Sequence, residues 1–249
     1  MATRSCSTLV IVPTYNEIDN LAIQVALLME SPVELHVLVV DDNSPDGTGR
    51  LADELASDPR VFALHREGKA GLGSAYLAGF DWALEREYRT VVEMDADGSH
   101  PVSALPVLLG ALSGSVDLVI GSRWVSGGQV VDWPKSREVL SRAANVYARF
   151  MLRLSTHDVT GGYRAYRSHT LQQVELDQVR SRGYCFQIDM TVRVADAGLS
   201  IAEVPITFIE RRTGKSKMTW KIVVEAIALV TVWGIRRTFG RQNSPRQPR

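Results

Sequence analysis

The tightest constraint on the fold is a regular beat in the first 120 residues. Short aliphatic runs at 8–12, 35–40, 61–65, 90–94 and 116–120 alternate with stretches of helical period at 18–29, 48–56, 72–86 and 101–113. The runs are mostly apolar, with His36, His65, Glu93 and Asp117 as their interruptions, as strands covered on both faces tend to be. Strand and helix in alternation with short joins predict an α/β fold whose mostly parallel central sheet carries helices on both faces. Open sheets of this kind bind ligands beyond the carboxyl ends of their strands. The residues that follow each run are therefore where function is to be sought.

After Gly121 the rhythm changes. An Arg-rich helix is expected over 136–154, strands over 159–167 and 201–209, a helix over 219–238 and a frayed basic tail over 241–249. Nothing resembling a linker divides the chain.

Pro13-Thr14-Tyr15-Asn16-Glu17 follows the first run. It reads either as a helix start capped by Asn16 or as an aromatic and a carboxylate set to hold a base. Asp41-Asp42 follows the second run, and two acids exceed what capping one helix needs. Asp95-Ala96-Asp97 follows the fourth. On extended backbone its carboxylates point the same way, and hard oxygens suit Mg²⁺ or Mn²⁺ bridged to phosphates. The alternative is a solvated acidic turn. Gly71-Leu72-Gly73 suggests a dinucleotide fingerprint but fails at its third glycine position, which is Tyr76. It reads instead as a turn and helix start, with Lys69 near enough for a phosphate. Arg123 follows the fifth run, Arg137 and Arg142 sit on the Arg-rich helix, and Arg211, Arg212, Lys215 and Lys217 crowd one Gly- and Ser-containing stretch. That stretch is either a solvated face or a loop that folds over an anion. His100 reads as a local structural residue.

Charge is balanced overall but not along the chain. From Arg211 onward ten Lys and Arg face one acid, Glu225, a net of +9, so the preceding 210 residues carry −9. A basic end on an acidic body suggests a negatively charged surface or substrate near that end. Cys6 and Cys185 match no metal or redox spacing, and a reducing cytosol suits both. No signal peptide is seen, and the longest apolar stretch, 222–235, is interrupted by Glu225 and shorter than the roughly 20 residues of a spanning helix. The helix at 219–238 carries Trp220 and Trp233 and is followed by Arg236, Arg237 and Arg241. It reads as an amphipathic helix lying at a membrane interface, or as one packed on the sheet.

In order, the strings PTYNE, VVDDNSPDGT, GKAGLGSAYLAGF, MDADGSHP, GSRWVSGG, TGGYRAYR, GYCFQIDM and ERRTGKSKM resemble the family 2 glycosyltransferases of the polyprenol-phosphate (dolichol-phosphate) mannose synthase branch, over nearly the whole chain. The resemblance implies a GT-A nucleotide-sugar transferase fold, expected over 1–217; the residues themselves add the membrane-proximal amphipathic helix expected over 218–240 and the flexible basic tail over 241–249. It implies inverting transfer of mannose from GDP-mannose to polyprenyl phosphate. Pro13, Tyr15, Glu17, Val40 and Asp42 match positions that hold base and ribose. Asp95 and Asp97 match the ligands of Mg²⁺ or Mn²⁺, with Ala96 against the nucleotide. Arg123, Arg211 and Lys217 match phosphate contacts, and Arg137 and Ser141 further contacts for the lipid phosphate. Ser99 stands where some relatives place a metal-ligating Gln, which leaves the third ligand to Ser99 or water. The resemblance also implies a peripheral protein on the cytoplasmic side of a membrane, with a membrane-embedded partner protein as a further option and no nucleic acid. The rival readings are a glucosyltransferase using UDP-glucose, a catalytically silent nucleotide-binding subunit, and a nicotinamide-dependent oxidoreductase, against which Tyr76 counts.

Overall fold

The computed structural model describes residues 6–179, 181, 183–210 and 220–240. The elements run β1 (Thr8–Thr14), α1 (Ile18–Met29), β2 (His36–Asp41), α2 (Thr48–Leu55), β3 (Val61–His65), α3 (Leu72–Glu85), β4 (Thr90–Glu93), α4 (Leu105–Ala111) and β5 (Leu118–Ser122). Then follow β6 (Gln129–Val131), α5 (Lys135–Leu152), β7 (Arg164–Arg167), α6 (Ser168–Gln173), α7 (Tyr184–Asp196), β8 (Ile201–Pro205), β9 (Thr207–Ile209) and α8 (Trp220–Gly240).

Seven strands form one sheet in the order β3-β2-β1-β4-β7-β5-β8. All neighbours are parallel except β7, which runs antiparallel between β4 and β5. The sheet grows outward from β1 in both directions, so the crevice between the ends of β1 and β4 is the place where such folds seat ligands. β6 and β9 pair as a separate two-stranded ribbon. The single expected strand over 201–209 is thus two short ones: β8 closes the sheet and β9 leaves it.

The central strands β1, β2, β4 and β5 bury both faces, and residue parity assigns the partners. Val10 and Val12 join Leu21, Val25, Leu28, Leu105 and Leu108 on the face covered by α1, α2 and α4. Leu9 and Ile11 join Tyr76, Phe80, Phe186 and Met190 on the face covered by α3 and α7. Ala148 and Leu152 of α5 pack with Ile188 of α7 and Val230 of α8 in a third cluster. So α8 rests on α5 and α7 rather than on the sheet, which corrects one of the two expectations for it. Tyr147 and Thr231 pair through their hydroxyls at 2.6 Å, and Arg237 donates to the Leu152 carbonyl at 2.6 Å and also pairs with Asp196. Among the described residues no helix is long and apolar enough to cross a membrane.

The helix α7 was not foreseen from sequence. The strand expected over 159–167 begins only at Arg164, because Gly161 and Gly162 precede it in irregular backbone beside Asp158.

Candidate active site

The register of β1 on β2 sets Pro13 beside Val40 and Thr14 beside Asp41, which brings the loops after both strands together. They are joined by three bonds. The amides of Asn16, Glu17 and Ile18 donate to Ser44 Oγ (3.1 Å), Thr48 Oγ1 (3.0 Å) and Asp46 Oδ2 (3.3 Å). Asn16 is therefore not the cap of α1. It takes a left-handed conformation at φ 59°, Glu17 holds the cap position without a capping bond, and Asp46 from the neighbouring loop meets the first helical amide. Glu17 Oε2 accepts from Asn20 Nδ2 at 2.9 Å, and Lys69 Nζ lies 4.0 Å above the Tyr15 ring.

The two acids after β2 divide their work. Asp41 accepts from Thr14 Oγ1 (3.0 Å) and from the Ser44 hydroxyl and amide (2.5 and 3.0 Å), so it shapes the turn. Asp42 accepts from Arg66 at 2.5 Å and from the amides of Ala70 and Gly71 at 3.2 and 3.3 Å. The predicted ribose or base contact thus organises the glycine loop that opens α3.

The turn after β4 begins at Ala96, so Asp95 and Asp97 reach the crevice through a turn and not on extended backbone as expected. Their positions are nonetheless set by named neighbours. The Tyr76 hydroxyl donates to Asp95 Oδ1 at 3.2 Å, the Asp95 amide donates to His100 Nδ1 at 3.0 Å, and the Ser99 amide donates to Asp97 Oδ1 at 3.1 Å. Accepting at Nδ1 leaves the proton of neutral His100 on Nε2. Its burial pushes the imidazole below its usual pKa despite the nearby Asp95 and Asp97. Ala96 is buried in the core between the pair. Tyr76 is the residue whose role the sequence hid. Read as a bulky failure of a glycine motif, it is a fully buried ring stacked 6.0 Å from Phe186, with its hydroxyl on the acid pair.

Beneath the pair lies Glu93, fully buried beside Arg164, with Gln187 Nε2 donating to it at 2.6 Å. Burial pushes the Glu93 carboxyl up to about 7, against the pull of Arg164 and Gln187.

The opposite wall is cationic. Arg123 grips Asp158 in a fork, Nε to Oδ2 and Nη2 to Oδ1, both at 2.7 Å, and also donates to Thr160 Oγ1 at 2.9 Å. Burial alone would raise the Asp158 carboxyl, but the Arg123 charge overrides it and holds it below the ordinary range. Arg137 pairs with Glu210 and lies 4.0 Å over the Trp133 ring. Ser141 lines the same cleft, and its carbonyl accepts from Asn145 Nδ2 at 2.9 Å. Trp133 Nε1–H and Arg137 Nε–H are buried and make no hydrogen bond. Buried donors without acceptors, next to two guanidinium groups, describe a seat for an anion.

Asp95, Asp97, Arg123, Arg137 and Ser141 therefore line one cleft of about 1220 Å³, its open mouth included. The cleft continues into an apolar arm between α5, α7 and α8, walled by Leu140, Ala144, Ile188, Ile227 and Val230. Pro13, Tyr15, Glu17, Val40 and Asp42 stand at the adjoining edge, beyond this cleft's walls. The predicted contacts Arg211 and Lys217 lie outside the described residues.

Among the described residues no set of three His, Cys, Asp or Glu converges as a metal cage. The donor set is two carboxylates on one cleft wall with the buried, unpartnered Ser99 hydroxyl beside them. That set fits a hard cation which draws the rest of its shell from water and phosphate oxygens, and it does not fit a thiolate or imidazole metal.

Residues 9–174 match the glycosyl transferase family 2 domain. The chain is 56% identical over 236 residues to the polyprenol monophosphomannose synthase of Mycolicibacterium smegmatis, covering 94% of this chain and 89% of that protein. It is 55% identical over 228 residues to the undecaprenyl-phosphate mannosyltransferase of Micrococcus luteus, covering 91% and 93%. Among solved structures, glucosyl-3-phosphoglycerate synthase from Mycobacterium tuberculosis with Mn²⁺ and UDP-glucose superposes with a TM-score of 0.64 at 20% identity, over 96% of this chain and 80% of that one. A mannosyltransferase from Pyrobaculum calidifontis with GDP-Man and Mn²⁺ gives 0.55 at 18% identity, over 97% and 76%. These likenesses establish the fold, which is GT-A.

Proposed function

We propose an activity from this premise: the chain belongs to the family 2 glycosyltransferases. It transfers mannose from GDP-mannose to the phosphate of a polyprenyl lipid, giving polyprenyl-phosphate-mannose with inversion at the anomeric carbon. One observation carries this reading. Paired carboxylates and paired guanidinium groups face each other across a cleft whose far end is apolar, which suits a diphosphate, a second phosphate and a hydrocarbon chain in sequence. The names of both close relatives pair mannose with a polyprenol or its phosphate, which supports the sugar and the acceptor.

Asp95 and Asp97 would hold Mg²⁺ or Mn²⁺. Bound there, the cation would supply Lewis-acid neutralisation of the departing diphosphate. The protein's own share is placement. Pro13, Tyr15, Glu17, Val40 and Asp42 form the edge on which base and ribose lie, with Ala96 against the nucleotide. Arg123, Arg137 and Ser141 receive the lipid phosphate, and Arg211 and Lys217 serve the donor phosphates. One oxygen of the lipid phosphate attacks the anomeric carbon from the face opposite the leaving group. A new C–O bond forms as the bond to the diphosphate breaks, and the nucleoside diphosphate leaves with the electron pair. A phosphate monoester is already anionic near neutral pH, its second pKa being about 6, so no general base is required. In-line placement and charge stabilisation supply the rate.

The acceptor lies in a bilayer, and the outer faces of α5 and α8 suit contact with one. Val139, Val146 and Phe150 on α5 and Val224, Val232 and Ile235 on α8 are exposed, while α5 turns Leu140 and Ala144, and α8 turns Ile227, toward the cleft. The two helices would lie in the headgroup layer and present the apolar arm to the lipid, with α8 and the basic tail acting as the membrane-proximal part of a peripheral protein. A membrane-embedded partner on the cytoplasmic side is the other occupant this face would accept.

The test is transfer from radiolabelled GDP-mannose to polyprenyl phosphate, with and without Mn²⁺, with UDP-glucose as the competing donor. Asp97→Ala is expected to abolish transfer while leaving the melting transition nearly unchanged. Near-normal turnover by that variant, or preference for UDP-glucose, overturns the assignment.

A further inference from the structure

The two arginines of the phosphate seat are matched unequally. Arg123 is held by a two-point fork to Asp158, whose side chain is fully buried. Arg137 meets Glu210 through one nitrogen, and their side chains are 18% and 25% exposed. The second pair is thus the one an incoming anion can open. Glu210 nonetheless stands on a fixed base, because its amide donates to the Val131 carbonyl at 3.1 Å and the Ile209 amide donates to the Ser99 carbonyl at 3.3 Å. The carboxylate also leaves part of the seat unmet, since Arg137 Nε–H and Trp133 Nε1–H keep no acceptor.

We propose that Glu210 is a specificity-determining gate on this seat, a built-in carboxylate that yields to the substrate's phosphate monoester and displaces the product's phosphodiester. The inference rests on the acceptor reading above. A monoester brings three terminal oxygens and a charge near −2, so it satisfies Arg137 and the orphaned Trp133 donor together, which one carboxylate does not. Transfer turns one of those oxygens into an ester bridge to the sugar. The diester keeps two terminal oxygens and a single charge. Glu210 then competes with a ligand of equal charge, and it does so from within the chain, where its effective concentration is high. Its return to Arg137 lowers the affinity for product more than for substrate.

Equilibrium binding of polyprenyl phosphate and of polyprenyl-phosphate-mannose, each in detergent micelles, tests this on the full chain. Glu210→Gln preserves size and removes the charge. It is expected to tighten product binding about tenfold, the range for a hydrogen bond to a charged group, and to tighten monoester binding less. Steady-state turnover should then slow after a first rapid turnover. Glu210→Asp, which keeps the charge on a shorter stem, should fall between. In an Arg137→Ala background the Glu210→Gln change should do nothing. Unchanged or weakened product binding in Glu210→Gln overturns the gate, as does an effect that survives Arg137→Ala. Failure of the wild-type chain to bind or mannosylate polyprenyl phosphate would instead overturn the acceptor assignment, so the two failures are told apart.

Discussion

Replacing Asp158 by Ala should expose how the cationic wall is held. The wild-type carboxylate accepts the Arg123 amide at 3.0 Å and two guanidinium bonds at 2.7 Å, and its own amide is tied to Glu203 Oε1 at 2.9 Å. Its side chain is fully buried and that of Arg123 is 9% exposed. Truncation therefore strands a buried cation, a change that typically removes about 3–5 kcal/mol of stability. Arg123 keeps Thr160 Oγ1 at 2.9 Å and three aromatic faces at 5.3–5.5 Å, which argues for the lower end, about 3 kcal/mol. That is more than a hundredfold in the folding constant at about 1.4 kcal/mol per decade. Asp158→Asn, which retains one acceptor, should lose roughly half as much. The pH dependence follows from the depressed carboxyl. A group whose folded pKa lies below its unfolded value, about 3.9 for Asp, contributes stability above that value and loses it as pH falls through the folded pKa. The gap between wild type and Asp158→Asn should hold from neutrality down to about pH 4 and close below it. Urea denaturation at several pH values measures both quantities. A loss under about 1 kcal/mol at pH 7, or a gap that widens in acid, would refute the reasoning.

Two other outcomes follow from the same structure. Tyr76→Phe deletes only the hydroxyl on Asp95, and loss of such an orienting bond should weaken Mn²⁺ binding about tenfold or more, read directly by electron paramagnetic resonance with GDP present; unchanged affinity would count against an orienting role. Phe150 is 80% exposed on the outer face of α5, so Phe150→Asp should reduce co-sedimentation with anionic liposomes while leaving the melting transition in place, and undiminished sedimentation would exclude that face as the membrane contact.

Much of the architecture was legible because short, mostly apolar strands alternating with helical patterns leave a clear signature. The runs at 8–12, 35–40 and 61–65 reappear as β1, β2 and β3 within a residue or two. Three things were not legible, each for a physical reason. The antiparallel insertion of β7 depends on pairing between residues some 70 apart, Glu93 with Arg164, which no local pattern encodes. The helix α7 begins after Gly183, and its inward face includes polar Gln187 and Thr191, so apolar periodicity undercounts it. At the site, Asp95 and Asp97 were legible from their place after a strand. Their neighbours were not: Tyr76 comes from α3, and the charge on Arg123 is met by Asp158, 35 residues on. Sequence names the residues that do chemistry more readily than those that aim them.

The three bonds that join the loop after β1 to the loop after β2 make a single mechanical part of two stretches almost 30 residues apart. The edge assigned to the base is thus already assembled when the chain has folded. Ordering it is completed during folding rather than during binding, so the entropy lost on nucleotide capture is smaller than for loops that close on arrival. Inheritance is constrained in the same way. A change at Ser44, Asp46 or Thr48 alters the backbone that carries Tyr15 and Glu17, so a shift in base preference would have to be carried by both loops at once.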